Sequence, residues 1–494
     1  MLLKRNWILA ALMLTMALAA MDTTIVSTAI PQIVSDLGGF SKFSWVFSIY
    51  LLTQTASIPI YGKLADIFGR KVILILGIII FLAGSAASAI SWNILSLIIF
   101  RGIQGFGAGS IMATVNTIAG DIYTVKERAK IQGLLSSIWG ISAIVGPALG
   151  GALAEYVSWR WIFIINIPIG IISIIFLAVF FNEIIIPKKP KIDYNGAVHI
   201  MLTLGLLIVY LLESGVSWPW LSPASFGMLA VIVFLAINTY RIEKRVPDPI
   251  FPSWLWKNKT FAYIGLAMVG MGIVNMGPDT FLPTFTQASL GLGIIASGFV
   301  LASMSIGWPA ASSLSGIIYL RIGFRNTALI GTIVLTFSCI AFLLIPWPQP
   351  VWMVVADQVI LGAGFGLLST PTLVGVQSMV EWEKRGVATG SVVFTRNLGS
   401  SLGAAIFGAI FNNSLSAQMA SAPKDLSVDT SQILRSLESP SISAGSKIFL
   451  EKAINTATHH IYYSLVLFSL LTLVCMLFVP NDGKPDEKKI NKIN

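Results

Sequence analysis

The chain has 494 residues, of which 55% are hydrophobic and 11% charged, with a mean hydropathy of +0.82. A soluble globule carries about 25% charge, so this composition excludes one and places the chain in a bilayer. The net charge of +10 would suggest a nucleic-acid partner in a soluble protein, but the Lys and Arg residues sort into the loops of one membrane side, the positive-inside pattern, which excludes nucleic acid.

A spanning helix needs roughly 20 mostly apolar residues. Fourteen such segments are expected, starting near Trp7, Trp45, Val72, Asn93, Ile131, Trp161, Ala197, Ser222, Thr260, Gly293, Asn326, Val351, Val387 and His460. An even count puts both termini on one side, and Lys63, Arg70, Lys71, Lys188, Lys189, Lys191, Arg241, Lys244 and Arg245 make that side the cytoplasm of an inner, cytoplasmic membrane. Lys4 and Arg5 precede an apolar run ending Ala17-Leu18-Ala19-Ala20, which resembles a cleavable signal. The run continues toward Pro31, beyond the usual 7 to 15 apolar residues, so it is read as the first helix, carrying Asp22.

Between the second and third helices, Gly62-Lys63-Leu64-Ala65-Asp66-Ile67-Phe68-Gly69-Arg70-Lys71 forms a short cytoplasmic turn. Its glycines permit a tight turn and close helix approach, Asp66 and Arg70 are spaced to pair, and Asp121 at the inner end of the fourth helix can join Arg70. The fourth helix opens with Arg101-Gly102-Ile103-Gln104-Gly105. At 1.5 Å per residue Arg101 lies roughly 12 Å below the outer surface, the level Asp22 reaches from inside, so the two can meet. An intramembrane charge costs at least about 2.5–3.5 kcal/mol and is normally paired and functional; a purely structural ion pair is the competing reading. Gly140, Gly146, Pro147, Gly150 and Gly151 punctuate the fifth helix, a spacing for backbone-to-backbone packing and bending.

Segments seven and eight form an insertion, residues 182–259, bounded by Pro- and Lys-rich connections. It separates an N-terminal bundle of six helices, residues 1–181, from a C-terminal six, residues 260–480, followed by a cytoplasmic tail, 481–494. In the ninth segment Asp279 sits between Pro278 and Pro283. Asp357 in the twelfth lies beside Gln358, and Arg396 in the thirteenth offers a counter-charge. A polar outer loop is expected over residues 412–458. Desolvation disfavours a carboxylate and a nearby arginine favours it, so a rearranging cavity can cycle an acid between its two forms. Asp22 ranks first for that role, then Asp279 and Asp357.

Asp22-Thr23 recurs as Asp279-Thr280, 257 residues later. At the same offset Gly105, Gly107 and Gly109 match Gly362, Gly364 and Gly366; Arg128 and Gly133 match Arg385 and Gly390; Gly146 and Gly151 match Gly403 and Gly408. Two related halves around intramembrane carboxylates are the pattern of a secondary transporter with its site at the repeat interface. An enzyme should show a paired nucleophile and base or a metal cluster, and a sensor an appended soluble domain. Cys339 and Cys475, far apart in apolar spans, give neither disulfide nor metal spacing; His199, His459 and His460 read as interfacial histidines. No phosphate loop is present, and neither cofactor nor metal is expected.

On these strings the chain resembles the major facilitator superfamily over nearly its whole length: Gly62 to Lys71 resembles its motif A, Arg101 to Gly109 its motif B, and Gly140 to Gly151 its antiporter motif C. Asp22-Thr23-Thr24-Ile25-Val26 through Pro31, Trp159-Arg160-Trp161 through Pro168-Ile169-Gly170 and the fourteen spans are similar to the drug:proton antiporter-2 (EmrB/QacA-like) family. The resemblance implies alternating access, with protons entering as amphipathic compounds, often lipophilic cations, leave, and antibiotic resistance as the outcome. It leaves open whether a periplasmic adaptor takes part. Three acids against two arginines in the spans tilt the substrate toward cations. Export of a lipid, siderophore or other metabolite is the alternative on the same scaffold.

Overall fold

Asn93 and Thr124 each start a long helix by satisfying backbone groups that the first turn leaves open. The Ser96 N–H donates to Asn93 Oδ1 at 2.8 Å, and Glu127 Oε2 accepts from the Thr124 N–H at 2.9 Å, the reciprocal arrangement of a capping box. The computed structural model describes residues 2–38, 44–183, 193–214, 217–246, 249–250, 252–346, 349–419, 422 and 443–481.

The N-terminal half contains α1 (Leu2–Thr28), α2 (Ile30–Leu37), α3 (Ser44–Phe68), α4 (Arg70–Ala89), α5 (Ile94–Ile122), α6 (Val125–Tyr156), α7 (Trp161–Ile164) and α8 (Asn166–Phe180). The insertion supplies α9 (Tyr194–Glu213) and α10 (Pro223–Arg245). The C-terminal half follows with α11 (Ser253–Lys257), α12 (Lys259–Leu290), α13 (Ile294–Ala302), α14 (Met304–Ile322), α15 (Phe324–Leu343), α16 (Val351–Ser378), a 3-10 turn (Trp382–Lys384), α17 (Arg385–Met419) and α18 (Ala444–Phe478).

The repeat reappears as packing. α5 lies against α3 and α4 as α16 lies against α14 and α15, and α1 against α6 as α12 against α17. The matched glycines explain the close approach: Gly105 and Gly109 face backbone of α3 and Gly107 that of α4, while Gly362 and Gly366 face α14 and Gly364 faces α15. At each of these positions a methyl group would collide with neighbouring backbone. Gly69 (φ 92°) and Gly323 (φ 89°) make the two equivalent turns, in a backbone region that favours glycine.

The halves meet along two seams related by the same pseudo-symmetry, α3 against α17 and α6 against α14. Val393 and Phe394 of α17 join the core of the N-terminal half. α9 packs on α10 and also touches α3 and α17, where Ile60, Ile200 and Ile250 cluster. The start of α1 and the end of α18 lie at one end of the molecule: Arg5 pairs with Glu127, Arg325 Nη2 donates to the Leu477 carbonyl at 2.8 Å, and Tyr319 bonds the Val125 carbonyl between them. We call this the terminal end.

Ten helices among the described residues are long and apolar enough to cross a membrane, against fourteen expected segments. The remaining four fall on α3, α9, the broken pair α13–α14, and α17. α3, α14 and α17 line the seams and bury polar side chains against protein, including Gln54, Thr55 and Ser57, Ser312 and Ser315, and Thr389, Ser391 and Thr395; such helices are less apolar than lipid-facing ones. The expected outer loop 412–458 is shorter, since α17 runs to Met419 and α18 begins at Ala444. Leu415, Leu450, Ala453 and Ile454 pack there with Ala288 and extend both helices. Most of that loop, the basic 184–192 connection and the tail after 481 lie outside the described residues.

Candidate functional site

Asp22 on α1 and Arg101 on α5 form an ion pair, both with no accessible surface. Gln104 completes the cluster, donating from Nε2 to Asp22 Oδ1 at 2.8 Å and accepting from Arg101 Nη1 at 2.8 Å. Gln104 sits three residues after Arg101, on the same helix face. Arg101 Nε donates to the Val46 carbonyl at 3.2 Å, and the guanidinium lies 4.2 Å from the Tyr50 ring centre. Among the described residues Arg101 Nη2, the Tyr50 hydroxyl and Gln54 Nε2 are buried without a hydrogen-bond partner. The cluster therefore holds donor capacity beyond what Asp22 uses.

At the terminal end Asp66, Arg70 and Asp121 converge as expected, and they also reach across to the other half. Asp66 accepts from the Gly386 and Val387 N–H groups at 2.8 and 2.9 Å, so it caps α17, where a carboxylate also meets the positive end of the helix dipole. Arg70 Nη2 donates to Asp66 at 2.8 Å and to the Trp382 carbonyl, with its guanidinium 3.6 Å from the centre of the Trp382 ring. Asp121 lies between Arg70 Nε at 3.1 Å and Arg385 Nη1 at 2.9 Å. Glu183 accepts from the Arg70 and Lys71 N–H groups at 3.0 and 2.9 Å, capping α4, while Lys71 Nζ donates to the Ala178 carbonyl. Gly62 stands against Gly386, where an added Cβ would come within 2.7 Å of its carbonyl oxygen.

Sequence reasoning did not single out Arg385, Trp382 and Glu183 for this cluster. Arg385 left a signal: the repeat pairs it with Arg128, and both open the fifth helix of their half. Arg128 makes a lesser cross-contact, 3.5 Å to Ser378 Oγ. Gln377 adds another, donating to the Asn116 carbonyl at 3.0 Å. Trp382 and Glu183 acquire their roles only through tertiary contact.

The second-half residues do not copy the first. Asp279 is exposed rather than enclosed, and Asn275 Nδ2, one turn back, donates to it at 2.6 Å. Arg396 is half-buried, and no described acid pairs with it. Asp357 is buried but turns toward α15, accepting from Ser338 Oγ at 2.8 Å and from Gln358 Nε2 at 3.2 Å. Thus Asp279, Asp357 and Arg396 do not assemble into a counterpart of the Asp22 cluster. At the position that the repeat aligns with Arg101 the second half carries Gln358, so no cation stands there to pair with Asp279.

Along α6 the small residues serve different surfaces. Gly140 meets Ser305 of α14, and Gly146 meets Thr24, whose hydroxyl donates to the Ser142 carbonyl at 2.9 Å. Gly150 is buried and Pro147 lies within the helix. Gly151 faces open space, so the backbone-to-backbone packing expected there is not made. His199 and His459 bond carbonyls one turn back, and His460 bonds Ser414, each at 2.8 Å. Among the described residues no group of three metal-ligating side chains occurs.

A family model described as Major Facilitator Superfamily matches residues 12–404. The chain is 31% identical to the multidrug transporter protein MdtP of Bacillus subtilis (strain 168), over 96% of this chain and 93% of that protein. It is 34% identical to multidrug resistance protein 3 of the same organism, over 83% and 80%, and 31% identical to efflux pump FUS6 of Gibberella fujikuroi, over 83% and 76%. In fold it is similar to the crystal structure of the human organic anion transporter MFSD10, with a TM-score of 0.63, 13% identity, and 95% of this chain and 99% of that one covered.

Proposed function

The chain belongs to the Major Facilitator Superfamily, and from that premise we propose that it is a fourteen-span drug:proton antiporter, exporting amphipathic, preferentially cationic compounds across the cytoplasmic membrane as protons enter. The observation that carries this reading is the fully enclosed Asp22–Arg101–Gln104 cluster. A buried pair of this kind is weak evidence for stability, and intramembrane charges mark ion and substrate pathways. Protonation of Asp22 would break its ion pair with Arg101 and loosen α1 from α5. Asp279 and Arg396, accessible on α12 and α17, are the groups to which an amphipathic substrate has access. The relatives named as multidrug transporters and efflux pumps support the substrate class.

The Asp66–Arg70–Asp121 cluster at the terminal end supplies the switch. Cross-half hydrogen bonds and ion pairs gather at the terminal end, so this conformation is sealed on the side assigned to the cytoplasm. Opening there must break the Asp66 cap of α17 and the Arg70–Asp121–Arg385 chain together.

The test is proton release from acidified everted vesicles on addition of lipophilic cations and neutral drugs, comparing the natural protein with Asp22→Asn. Release confined to the natural protein, with equal amounts of both in the membrane, is expected. Equal release by the variant removes Asp22 from coupling, and no release with any compound removes the antiport reading.

A further inference from the structure

Asp357 is a buried carboxyl that the central site leaves unused. It lies in the wall of the C-terminal half between α15, α16 and α18, about 9 Å from the far end of α16 by helical rise. Among the described residues every group turned toward it is neutral: Ser338 and Cys339 from α15, Gln358 from its own helix, and Tyr462 from α18. Asp22 has Arg101 for a counter-charge, whereas Asp357 has no cation among the described residues. An enclosed carboxylate without one is costly, and a proton is the smallest counter-charge that fits a site already filled by side chains.

The neighbouring groups form a column leading outward. Gln358 Nε2 donates both to Asp357 Oδ2 and to the Tyr462 hydroxyl at 3.3 Å, while its Oε1 is buried without a partner. A half-turn of that amide would let Oε1 accept from Tyr462 or from a protonated Asp357. Tyr462 stacks on Phe342 at 3.5 Å between ring centres, and His459 lies 6.1 Å from the same ring. Asn455, His459 and Tyr462 follow one another at four and three residues, so they share a face of α18. At the far end Asn455 meets Gln349 of the α15–α16 loop at 2.8 Å. Seven residues of rise separate Asn455 from Tyr462, about 10 Å.

We propose that Asp357 is a second proton-binding group, separate from Asp22, which exchanges its proton with the far side of the membrane along the α18 face through His459 and Tyr462, with the Gln358 amide holding Tyr462 and Asp357 in position. Its part in transport rests on the exporter reading above; its protonation does not.

Infrared difference spectra of the full-length protein in detergent, taken across a pH series in H2O and D2O, test the site without any substrate. The expected result is a protonated-carboxyl band, shifted in D2O, that Asp357→Asn abolishes and Ser338→Ala displaces in pH midpoint. The same spectra in proteoliposomes after an external pH jump test the route, where His459→Gln and Tyr462→Phe should each slow the band's response about tenfold. A band unchanged in a folded Asp357→Asn variant overturns the site, as does a band that sodium removes at constant pH. A response at the natural rate in both route variants overturns the route. A normal Asp357 band with no drug-driven proton release in vesicles supports the site and overturns only the exporter reading.

Discussion

Replacing Arg101 by Gln removes the only cation beside Asp22 among the described residues and leaves a carboxylate with no accessible surface to face neutral donors. Removing one member of a buried pair typically costs about 3–5 kcal/mol, whereas replacing both by neutral groups of similar shape is often close to neutral. Arg101→Gln should therefore lower the apparent melting temperature in detergent well below that of the Asp22→Asn/Arg101→Gln double variant. Equal melting of the two would show that the pair is not coupled. The pair was legible before any coordinates, because a fixed helical rise turns sequence position into depth and both residues reach the same level. The accessibility of Asp279 was not legible, since depth says nothing of rotation about a helix axis. Nor were Trp382 and Glu183, which meet Arg70 only once chain segments more than a hundred residues distant are packed.

The α3–α17 seam is an element whose closure depends on two things the sequence displays separately, the missing side chain at Gly62 and the charge at Asp66. A β-branched residue at Gly62 would collide with the Gly386 carbonyl. Overpacking costs about 1–3 kcal/mol, which as a population shift is roughly 5- to 150-fold. Gly62→Val should thus move the molecule toward the state open at the terminal end, read as altered spin-label distances between α3 and α17, with transport falling in step. Asp66→Ala should move it the same way by a different cause, since a lost N-cap alone costs about 1 kcal/mol and Arg70 loses a partner with it. Should either variant keep the natural distance distribution, the seam is not the gate. Motif A could be read as a turn with an ion pair; that its acid caps a helix of the opposite half depends on the pseudo-symmetric crossing of second and fifth helices, which no local spacing encodes.

For the molecule as a whole, the repeat was readable because Gly105, Gly107 and Gly109 mark close helix contacts that Gly362, Gly364 and Gly366 make again in the second half, although Gly151 and its match Gly408 both face open space. The number of spans was less readable from apolarity, because a helix enclosed by other helices can carry polar residues that a lipid-facing one cannot. α3 is the decisive case. If α3 crosses the membrane, the connection after α8 returns to the side of the N-terminus; if it does not, that connection lies on the opposite side. With Cys339 and Cys475 replaced by Ala, single cysteines at Lys4→Cys, Lys188→Cys and Lys488→Cys should react with a membrane-impermeant thiol reagent only in permeabilised cells, and Ser436→Cys in intact ones. Reaction of Lys188→Cys in intact cells while Lys4→Cys, ahead of α3, stays protected would remove α3 from the spans and with it the two-times-six architecture. Reaction of Lys4→Cys and Lys188→Cys alike in intact cells would reverse the assigned sides, and the Asp66–Arg70–Asp121 cluster at the terminal end would then close the outer face rather than the cytoplasmic one.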